Sequence, residues 1–338
     1  MQASQNSLRE VMRQNRLVTY AYSQYLNHRP RFLTEEMVTS LANDCEIDRE
    51  EAFLVLFAAA CGLDTAENRE HRAIERTYIR TGVQRADAAL YRSDAYFQAV
   101  AFPEKKMGKW EMRHEYYAPY EPFVRTHPQL THDFREIPQL GYFDERFDFP
   151  AILENGVEWM TVTPNEIETM RVPIANSHGR VLTLGLGLGY FAFHASEKPD
   201  VDSVTVVERD REVIELFKRE LLPQFPHREK IGIVEADALD YLNRNSVRTQ
   251  FDSIFADLWH DQSDGLALYL KLRRIETERK LPRVDYWIEP TLLSALRQIL
   301  WERITEEKLP LSARSTPLDT LLSDAFLRNL APTLAHND

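Results

Sequence analysis

The sequence contains little cysteine and no long apolar run. Cys45 and Cys61 are its only cysteines, so a disulfide framework is excluded and a reducing compartment is expected. The spacing of Cys and His matches no zinc site, and we expect no metal. No stretch of about 18 apolar residues is present, and the polar N-terminal segment lacks the apolar core of a signal peptide. These absences predict a cytoplasmic protein that does not act at a membrane.

A basic surplus is also missing. The formal net charge is −12, from 41 Lys and Arg residues against 53 Asp and Glu residues. Binding to nucleic acid needs a basic surface that neutralises phosphates. We therefore expect no nucleic-acid partner and a small-molecule substrate instead. The 338 residues exceed the roughly 250–300 that a single core holds, which favours two units, 1–140 and 141–338.

Helical signals dominate the first hundred residues. Thr34 and Asp48 are typical N-caps, Glu51 follows Asp48 at capping-box spacing, and Gly62 is a typical helix stop. A pair of short helices could form a helix-turn-helix motif, but that motif needs a basic recognition helix, which this acidic segment lacks. We interpret the segment as a small helical bundle.

Residues 101–150 differ in composition, since Pro, aromatic and charged residues dominate there. We expect an irregular connector. Its His114, His127 and His132 have no ligand spacing and are interpreted as surface or packing residues. A β-hairpin is predicted for about 146–162.

The turn of that hairpin and the start of the next helix have clear signals. Asn155-Gly156 between apolar runs is typical of a two-residue hairpin turn. Thr163, Pro164 and Glu166 then form a capping box with proline at the first helical position.

From residue 180 onward, strand-like and helix-like segments alternate. We expect strands at 180–185, 203–208, 230–235, 251–257 and 284–289, and helices near 189–197, 210–222, 238–245, 264–278 and 291–307. This alternation predicts a doubly wound, mostly parallel α/β sheet. Ligands of such sheets bind beyond the carboxyl ends of the strands.

The stretch VLTLGLGLGY (181–190) joins the first of these strands to a helix. Glycine at this junction permits a tight turn and a close approach of ligand to backbone. Two cofactor classes fit the pattern. Gly187, Gly189 and Ala192 match the G-x-G-x-x-A form of dinucleotide folds, whereas Gly185, Gly187 and Gly189 match the G-x-G-x-G form of S-adenosylmethionine binders.

Acidic residues end the following strands in order. Glu208 stands where a carboxylate can bind both ribose hydroxyls. Asp237 and Ala238 suit an adenine site, in which the carboxylate accepts from the exocyclic amine and the small side chain leaves room for the ring. Asp257 ends the fourth strand, next to the reactive end of a cofactor. The series indicates a nucleoside site.

In these motifs the chain resembles the class I S-adenosylmethionine-dependent methyltransferases, and most of all their spermidine-synthase-like branch. The resemblance covers about 146–290 and implies a Rossmann-like fold. It also implies S-adenosylmethionine as cofactor and a set of cofactor-binding residues: Gly185, Gly187, Gly189, Tyr190, Glu208, Arg209, Asp237, Ala238 and Asp257.

Three positions depart from that pattern. Thr183 stands where most methyltransferases have an acid. Leu188 and His260 stand where spermidine synthases have aspartates, and the tyrosine-histidine-glutamate cluster of those enzymes is not apparent in "NEIETM". Aminopropyl transfer is therefore not expected.

The function predicted by the resemblance is methyl transfer to a small molecule. Asp257 would orient the acceptor and His260 would act as base. Trp259 and Tyr190 would line the pocket, with Asp261 and Glu289 as further candidates. The N-terminal unit would form a lid or a homodimer interface.

Two alternatives remain open at this point. One is a nucleoside-binding protein of the same fold that is non-catalytic or aminopropyltransferase-like. The other is an NAD-dependent oxidoreductase, which depends on Gly187, Gly189 and Ala192.

Overall fold

The computed structural model describes residues 2–259 and 262–306. Its helices are α1 (Gln2–His28), α2 (Glu35–Cys45), α3 (Arg49–Ala60), α4 (Arg69–Ile74), α5 (Arg80–Gly82), α6 (Ala88–Arg92), α7 (Ala95–Ala99), α8 (Pro164–Asn176), α9 (Tyr190–Glu197), α10 (Arg211–Glu220), α11 (Ala238–Leu242), α12 (Val247–Gln250), α13 (Gln262–Arg279) and α14 (Glu289–Glu306). A π-helical turn, Glu75–Ile79, joins α4 to α5. Short 3₁₀ turns occupy Leu222–Gln224 and Arg228–Lys230.

The strands form separate sheets. They are β1 (Val83–Arg85), β2 (Lys105–Met107), β3 (Trp110–Tyr117), β4 (Phe123–Leu130), β5 (Glu136–Tyr142), β6 (Phe147–Glu154), β7 (Val157–Thr161), β8 (Gly179–Leu184), β9 (Val201–Glu208), β10 (Ile231–Glu235), β11 (Ser253–Ala256) and β12 (Val284–Tyr286). The sheet orders are β1-β5-β4, β2-β3-β6-β7 and β10-β9-β8-β11-β12.

The helical start of the chain matches its capping signals. The Thr34 side chain accepts from the Met37 N–H at the start of α2, and Asp48 accepts from the Glu51 N–H at 2.7 Å at the start of α3. Gly62 follows α3 with a φ of 79°, a left-handed conformation that favours glycine. These predicted helix boundaries are confirmed.

The first unit is not purely helical, because the sheet β1-β5-β4 closes its core. This core holds the buried aromatic side chains of Tyr25, Phe53, Phe57, Tyr78 and Tyr142. The ring centroids of Phe53 and Tyr142 lie 3.8 Å apart, so α3 packs directly on β5. Consequently the core of residues 1–140 is completed by strand residues that composition alone does not indicate.

The prediction of an irregular connector at 101–150 is wrong. These residues form β2, β3, β4 and β5 and the start of β6. In β3, Trp110 and Met112 are buried, while Arg113 pairs with Glu111 and Glu115 on the other face. The high charge of the segment belongs to the exposed face of a half-buried sheet.

The predicted hairpin is confirmed as β6 and β7. Asn155 and Gly156 form its turn with φ values of 52° and 84°, both left-handed, as a type I′ turn requires. The hairpin lies within the larger antiparallel sheet, where β3 pairs with β6 along its whole length, from Trp110 opposite Glu154 to Tyr117 opposite Phe147.

The predicted fold class is confirmed by the five-stranded sheet. All four strand pairs are parallel, and the order places the first strand, β8, in the centre. This is the doubly wound, Rossmann-like arrangement, in which the order reverses beside the first strand. The expected strands lie within three residues of the observed ones at each end.

None of the helices in the described part of the chain has the length and apolar character needed to cross a bilayer. The last of them, α14, follows β12 directly and packs on α1 and β4 of the first unit. The first and the last helix of the described chain are therefore in contact.

Candidate active site

The strand order reverses between β8 and β11, whose carboxyl ends lie side by side. The Asp257 N–H donates to the Leu184 carbonyl at 2.8 Å, and the Gly185 N–H donates to the Val207 carbonyl at 2.9 Å. After β8 the chain continues to β9, which pairs with one edge of β8, whereas β11 pairs with the other edge. Ligands of such sheets bind beyond the strand ends at this switch point, and we call that region the crevice.

The three glycines at this edge of the sheet are required for different physical reasons. All three have left-handed φ values, 95° at Gly185, 52° at Gly187 and 79° at Gly189. A Cβ on Gly185 would overlap the Asp257 carbonyl oxygen, and a Cβ on Gly189 would overlap the Phe217 ring. A Cβ on Gly187 would meet nothing within 4 Å. Gly185 and Gly189 are thus needed for packing, and Gly187 presents bare backbone to open space.

The loop also offers free hydrogen-bond donors. Within the part of the chain that the structure describes, the N–H groups of Gly187 and Leu188 donate to no protein acceptor. The side chains of Leu186 and Leu188 point into the core and are 6% and 2% exposed. The loop precedes α9, whose N-terminus favours negative or polar ligand groups. This arrangement suits a negative or polar ligand group.

Glu208 lies beside the loop, at the end of β9. Its Oε1 accepts from the N–H groups of Arg209 and Asp210, each at 2.8 Å. Its Oε2 accepts only a long bond, 3.3 Å, from the Leu186 N–H. The carboxylate is held by the backbone in a fixed orientation, and Oε2 keeps capacity for a ligand hydroxyl.

The other predicted cofactor residues lie along the same edge. The side chain of Asp237 caps α11 by accepting from the Leu239 and Asp240 N–H groups. Ala238 is buried at 8% exposure. Arg209 is exposed, directly after Glu208. Because Asp237 uses Oδ1 for both capping bonds, its Oδ2 stays available to an exocyclic amine.

Three buried or half-buried carboxyl groups, those of Asp257, Glu166 and Glu158, have raised pKa values. Burial raises the pKa of Asp257 to about 7. Burial, and then the charges of Asp257 and Glu158, raise the pKa of Glu166 well above its usual value. Burial and the neighbouring Glu115 raise the pKa of Glu158. Three segments supply this cluster: β7 carries Glu158, α8 carries Glu166, and Asp257 follows β11.

The cluster has no basic counterpart in the described residues, where no Lys or Arg pairs with Glu158, Glu166 or Asp257. Tyr117, at the end of β3, adds a hydroxyl group that lies within the influence of these charges. Burial raises its pKa, and the charges of Glu158, Glu121 and Glu166 add to the shift. Partly buried carboxyls without a cation favour a positively charged ligand.

Some predicted site residues lie elsewhere. The Tyr190 side chain points away from the crevice, and its hydroxyl donates to Asp94 at 2.9 Å. Trp259 packs near Tyr286, with ring centroids 6.3 Å apart. Glu289 accepts from the Tyr269 hydroxyl at 2.5 Å.

His260 and Asp261 lie outside the described residues. Among the residues that the structure does describe, no three His, Cys, Asp or Glu side chains are grouped as metal ligands.

Comparison with known proteins yields matches only among solved structures. No family model and no curated protein matches the chain. A spermidine synthase from Thermotoga maritima is 18% identical, over 46% of this chain and 60% of that chain, with a TM-score of 0.32. A spermidine synthase in complex with the transition-state analogue AdoDATO is 18% identical over the same shares, with a TM-score of 0.34.

A further match is precorrin 8w decarboxylase from Methanobacterium thermoautotrophicum. It is 15% identical, over 41% of this chain and 73% of that chain, with a TM-score of 0.30. The chain spans less than two thirds of the spermidine synthase structures. These scores are too low to support a function.

Sequence reasoning identified Asp257 but missed the two glutamates of the carboxyl cluster. Glu166 was interpreted as part of a capping box, yet only its N–H takes part, donating to the Thr163 hydroxyl at 3.5 Å. Tyr117 and Glu158 had no signal, because both lie on strands with alternating polarity. The one sequence signal for Glu166 was its place in a capping box directly after the hairpin.

Proposed function

We propose that the protein transfers a methyl group from S-adenosylmethionine to the amine of a small acceptor. The observation that carries the proposal is the open Gly187 backbone at the end of β8, together with the buried carboxyls of Glu166 and Asp257, which pair with no Lys or Arg of the described residues. The first feature fits a nucleoside, and the second fits a cation. Both lie at the switch point of the sheet.

The residues on the β9 side would hold the cofactor. The Gly187 and Leu188 N–H groups would bind its carboxylate, Glu208 Oε2 would accept from ribose, and Asp237 would accept from the adenine amine. When bound, the cofactor supplies an electrophilic carbon on a positively charged sulfur. The protein contributes alignment of the acceptor with that carbon and exclusion of water.

The acceptor side would bind and deprotonate an amine. A bound ammonium would lower the raised pKa values of Glu158 and Glu166, so these carboxyls would ionise and pair with the substrate as it binds. Asp257 has a pKa raised to about 7 by burial, which suits a general base near neutral pH. It would take a proton from the substrate's ammonium group, and the nitrogen lone pair so freed would form the new bond to the methyl carbon as the carbon–sulfur bond breaks and the sulfur leaves as a neutral thioether.

Aminopropyl transfer is the second candidate, and the carboxyl cluster favours it. A diamine acceptor would use two or more of these carboxyls. Leu188 replaces an aspartate of spermidine synthases by resemblance, but its side chain is 2% exposed and faces the core. Because this position faces the core, the replacement of aspartate by Leu188 is weaker evidence against aminopropyl transfer than the sequence alone indicates.

Calorimetric titration of the full chain tests the cofactor half of the proposal. S-adenosylhomocysteine, decarboxylated S-adenosylmethionine and NAD are compared as ligands. We expect S-adenosylhomocysteine to bind, and Glu208→Ala to weaken it by about tenfold or more through loss of the ribose contact. Glu212→Ala, four residues further on the exposed start of α10, is the matched control. Absence of binding by S-adenosylhomocysteine overturns the proposal.

Mass spectrometry of amine mixtures tests the chemistry. The protein is incubated with S-adenosylmethionine or with its decarboxylated form, and products are compared with those of Asp257→Asn. A methyl increment supports the first candidate, and an aminopropyl increment replaces it with the second. Products that persist unchanged in Asp257→Asn would remove Asp257 from the mechanism.

A further inference from the structure

A tyrosine from outside the parallel sheet holds the glycine loop. The Tyr96 hydroxyl on α7 donates to the Leu188 carbonyl at 2.8 Å, across 92 positions of sequence. Tyr96 is 1% exposed, so water does not compete for this bond. We propose that Tyr96 is a positioning residue that sets the glycine loop for nucleoside binding, an inference that rests on the proposed function.

Together with a second hydrogen bond, this bond fixes both polar groups of one peptide. The Leu188–Gly189 peptide has its carbonyl oxygen on Tyr96, and its N–H donates to the Leu186 carbonyl at 2.9 Å. Glycines with left-handed φ values, 52° at Gly187 and 79° at Gly189, flank Leu188. Glycine reaches positive and negative φ about equally, so these residues alone do not set the peptide orientation. Tyr96 supplies the missing constraint.

A second set of contacts fixes Tyr96 itself. Asp94 caps α7 by accepting from the Tyr96 N–H. The same carboxylate accepts from the Tyr190 hydroxyl at 2.9 Å and lies 3.0 Å from His194 Nε2. Tyr190 and His194 belong to α9, the helix that the loop opens into. Asp94 thus joins the start of α7 to the start of α9.

Aromatic packing makes this junction rigid. The Tyr96 ring lies 5.5 Å from Tyr190, 5.4 Å from Phe193 and 6.1 Å from Phe225, measured between centroids. Phe225 also packs at 5.4 Å on Phe217, the ring that leaves no room for a Cβ on Gly189. The back of the glycine loop is therefore supported by one continuous aromatic cluster.

The consequence for the ligand lies in the conformation of the loop on either side of Leu188. Holding the Leu188–Gly189 peptide restricts ψ of Leu188, and this limits the conformations open to the preceding segment, whose Gly187 and Leu188 N–H groups have no acceptor in the described protein. Loss of the Tyr96 hydroxyl frees the peptide to reorient, and the ligand must then order the loop on binding. Such ordering weakens affinity without removing any direct contact.

The test compares three full-length proteins: wild type, Tyr96→Phe and Tyr91→Phe. Tyr91 is the matched control, because it is 6% exposed and its hydroxyl donates to Glu168 at 3.0 Å, on α8. Titration with S-adenosylhomocysteine gives the affinities. We expect about tenfold weaker binding for Tyr96→Phe only. Hydrogen exchange should be faster at residues 185–189 in that variant and unchanged in α3.

The outcomes separate the two proposals. Equal affinity of Tyr96→Phe and wild type, or equal losses in both variants, overturns the positioning role and leaves the proposed function standing. No binding by wild type overturns the proposed function and the nucleoside role of Tyr96 with it. Asp94→Asn is the second variant if Tyr96→Phe does not fold. A loss confined to affinity and loop exchange supports the inference there too.

Discussion

Glu136 and Arg297 form a buried ion pair between the first unit and the last described helix. Arg297 Nε lies 2.9 Å from Glu136 Oε1, and the side chains are 11% and 5% exposed. The Ser294 hydroxyl also donates to this carboxylate. On the β5 side, the Glu136 N–H donates to the Asn15 side chain at 3.1 Å. Helices α1 and α14 are thereby tied to one strand.

We expect Arg297→Met to lower the free energy of unfolding by about 3–5 kcal/mol, since it leaves the Glu136 charge buried without its partner. Urea denaturation measures the effect. The double variant Arg297→Met with Glu136→Gln should recover part of the loss. Arg85→Met, which breaks the exposed pair with Asp144, is the control and should cost at most about 1 kcal/mol. Equal costs would contradict the prediction.

Alanine substitutions at Gly187 and at Gly189 should separate the effect on stability from the effect on binding. Gly189→Ala forces a Cβ against Phe217 in a left-handed conformation, and we expect a cost of about 3 kcal/mol in unfolding free energy. Gly187→Ala meets open space and should cost only about 1 kcal/mol.

The affinities should follow a different order. Gly187→Ala should lose binding of S-adenosylhomocysteine, because its methyl group would occupy the ligand face. Thermal unfolding and calorimetric titration of each variant check the two effects together. Retained affinity in a well-folded Gly187→Ala protein would be incompatible with ligand approach at this residue.

The raised pKa of Asp257 predicts a pH-dependent stability. The carboxyl titrates near 7 in the folded protein against an ordinary value of 3.8, so between these pH values the folded state binds more protons than the unfolded chain. The free energy of unfolding should therefore fall as pH rises from about 4 to about 7. The stabilising effect is complete below the unfolded value and is lost above the folded one.

Asp257→Asn should reduce the fall in the free energy of unfolding between about pH 4 and pH 7. Urea midpoints at pH 5 and pH 8 measure it, and Glu166→Gln should remove a further part, because burial and Asp257 raise the pKa of Glu166 as well. Asp202→Asn, on an exposed position of β9, serves as control and should keep the wild-type slope. A slope that survives both crevice variants would assign it to other groups.

The hairpin turn offers a test of local backbone strain. Gly156 has a φ of 84° and open space around it, so Gly156→Ala should cost about 1 kcal/mol through the left-handed conformation alone. Asn155→Gly should be nearly neutral. Chemical denaturation of both variants gives the comparison, and a larger cost for Asn155→Gly would argue against a type I′ turn.

The parallel sheet was predictable because its signals are local. Each strand between Gly179 and Tyr286 is a short apolar run with a helix behind it, and Asn155-Gly156 determines its own turn. The sheets at 105–142 were not predictable, because their strands mix charged and apolar residues on two faces. Only tertiary packing of Phe53 on Tyr142 shows which face is buried.

The site was predictable on one side only. Glu208 stands at a strand end, where the order of the sheet fixes its neighbours. Glu158 and Tyr117 reach the crevice through the antiparallel sheet, whose position relative to β11 is a property of the whole fold. The part played by Tyr96 depends on a contact between segments that no periodicity connects.

The order of the parallel sheet has a consequence for how the chain assembles. Strand β8 is synthesised first and lies in the centre, and β9 and β10 then add to one side in sequence. The chain must double back across the sheet before β11 can pair with β8, a non-local step that slows folding. The region that we call the crevice is complete only when β11 has paired with β8. A chain that is still being synthesised therefore cannot bind its ligand until the second half of the sheet has formed.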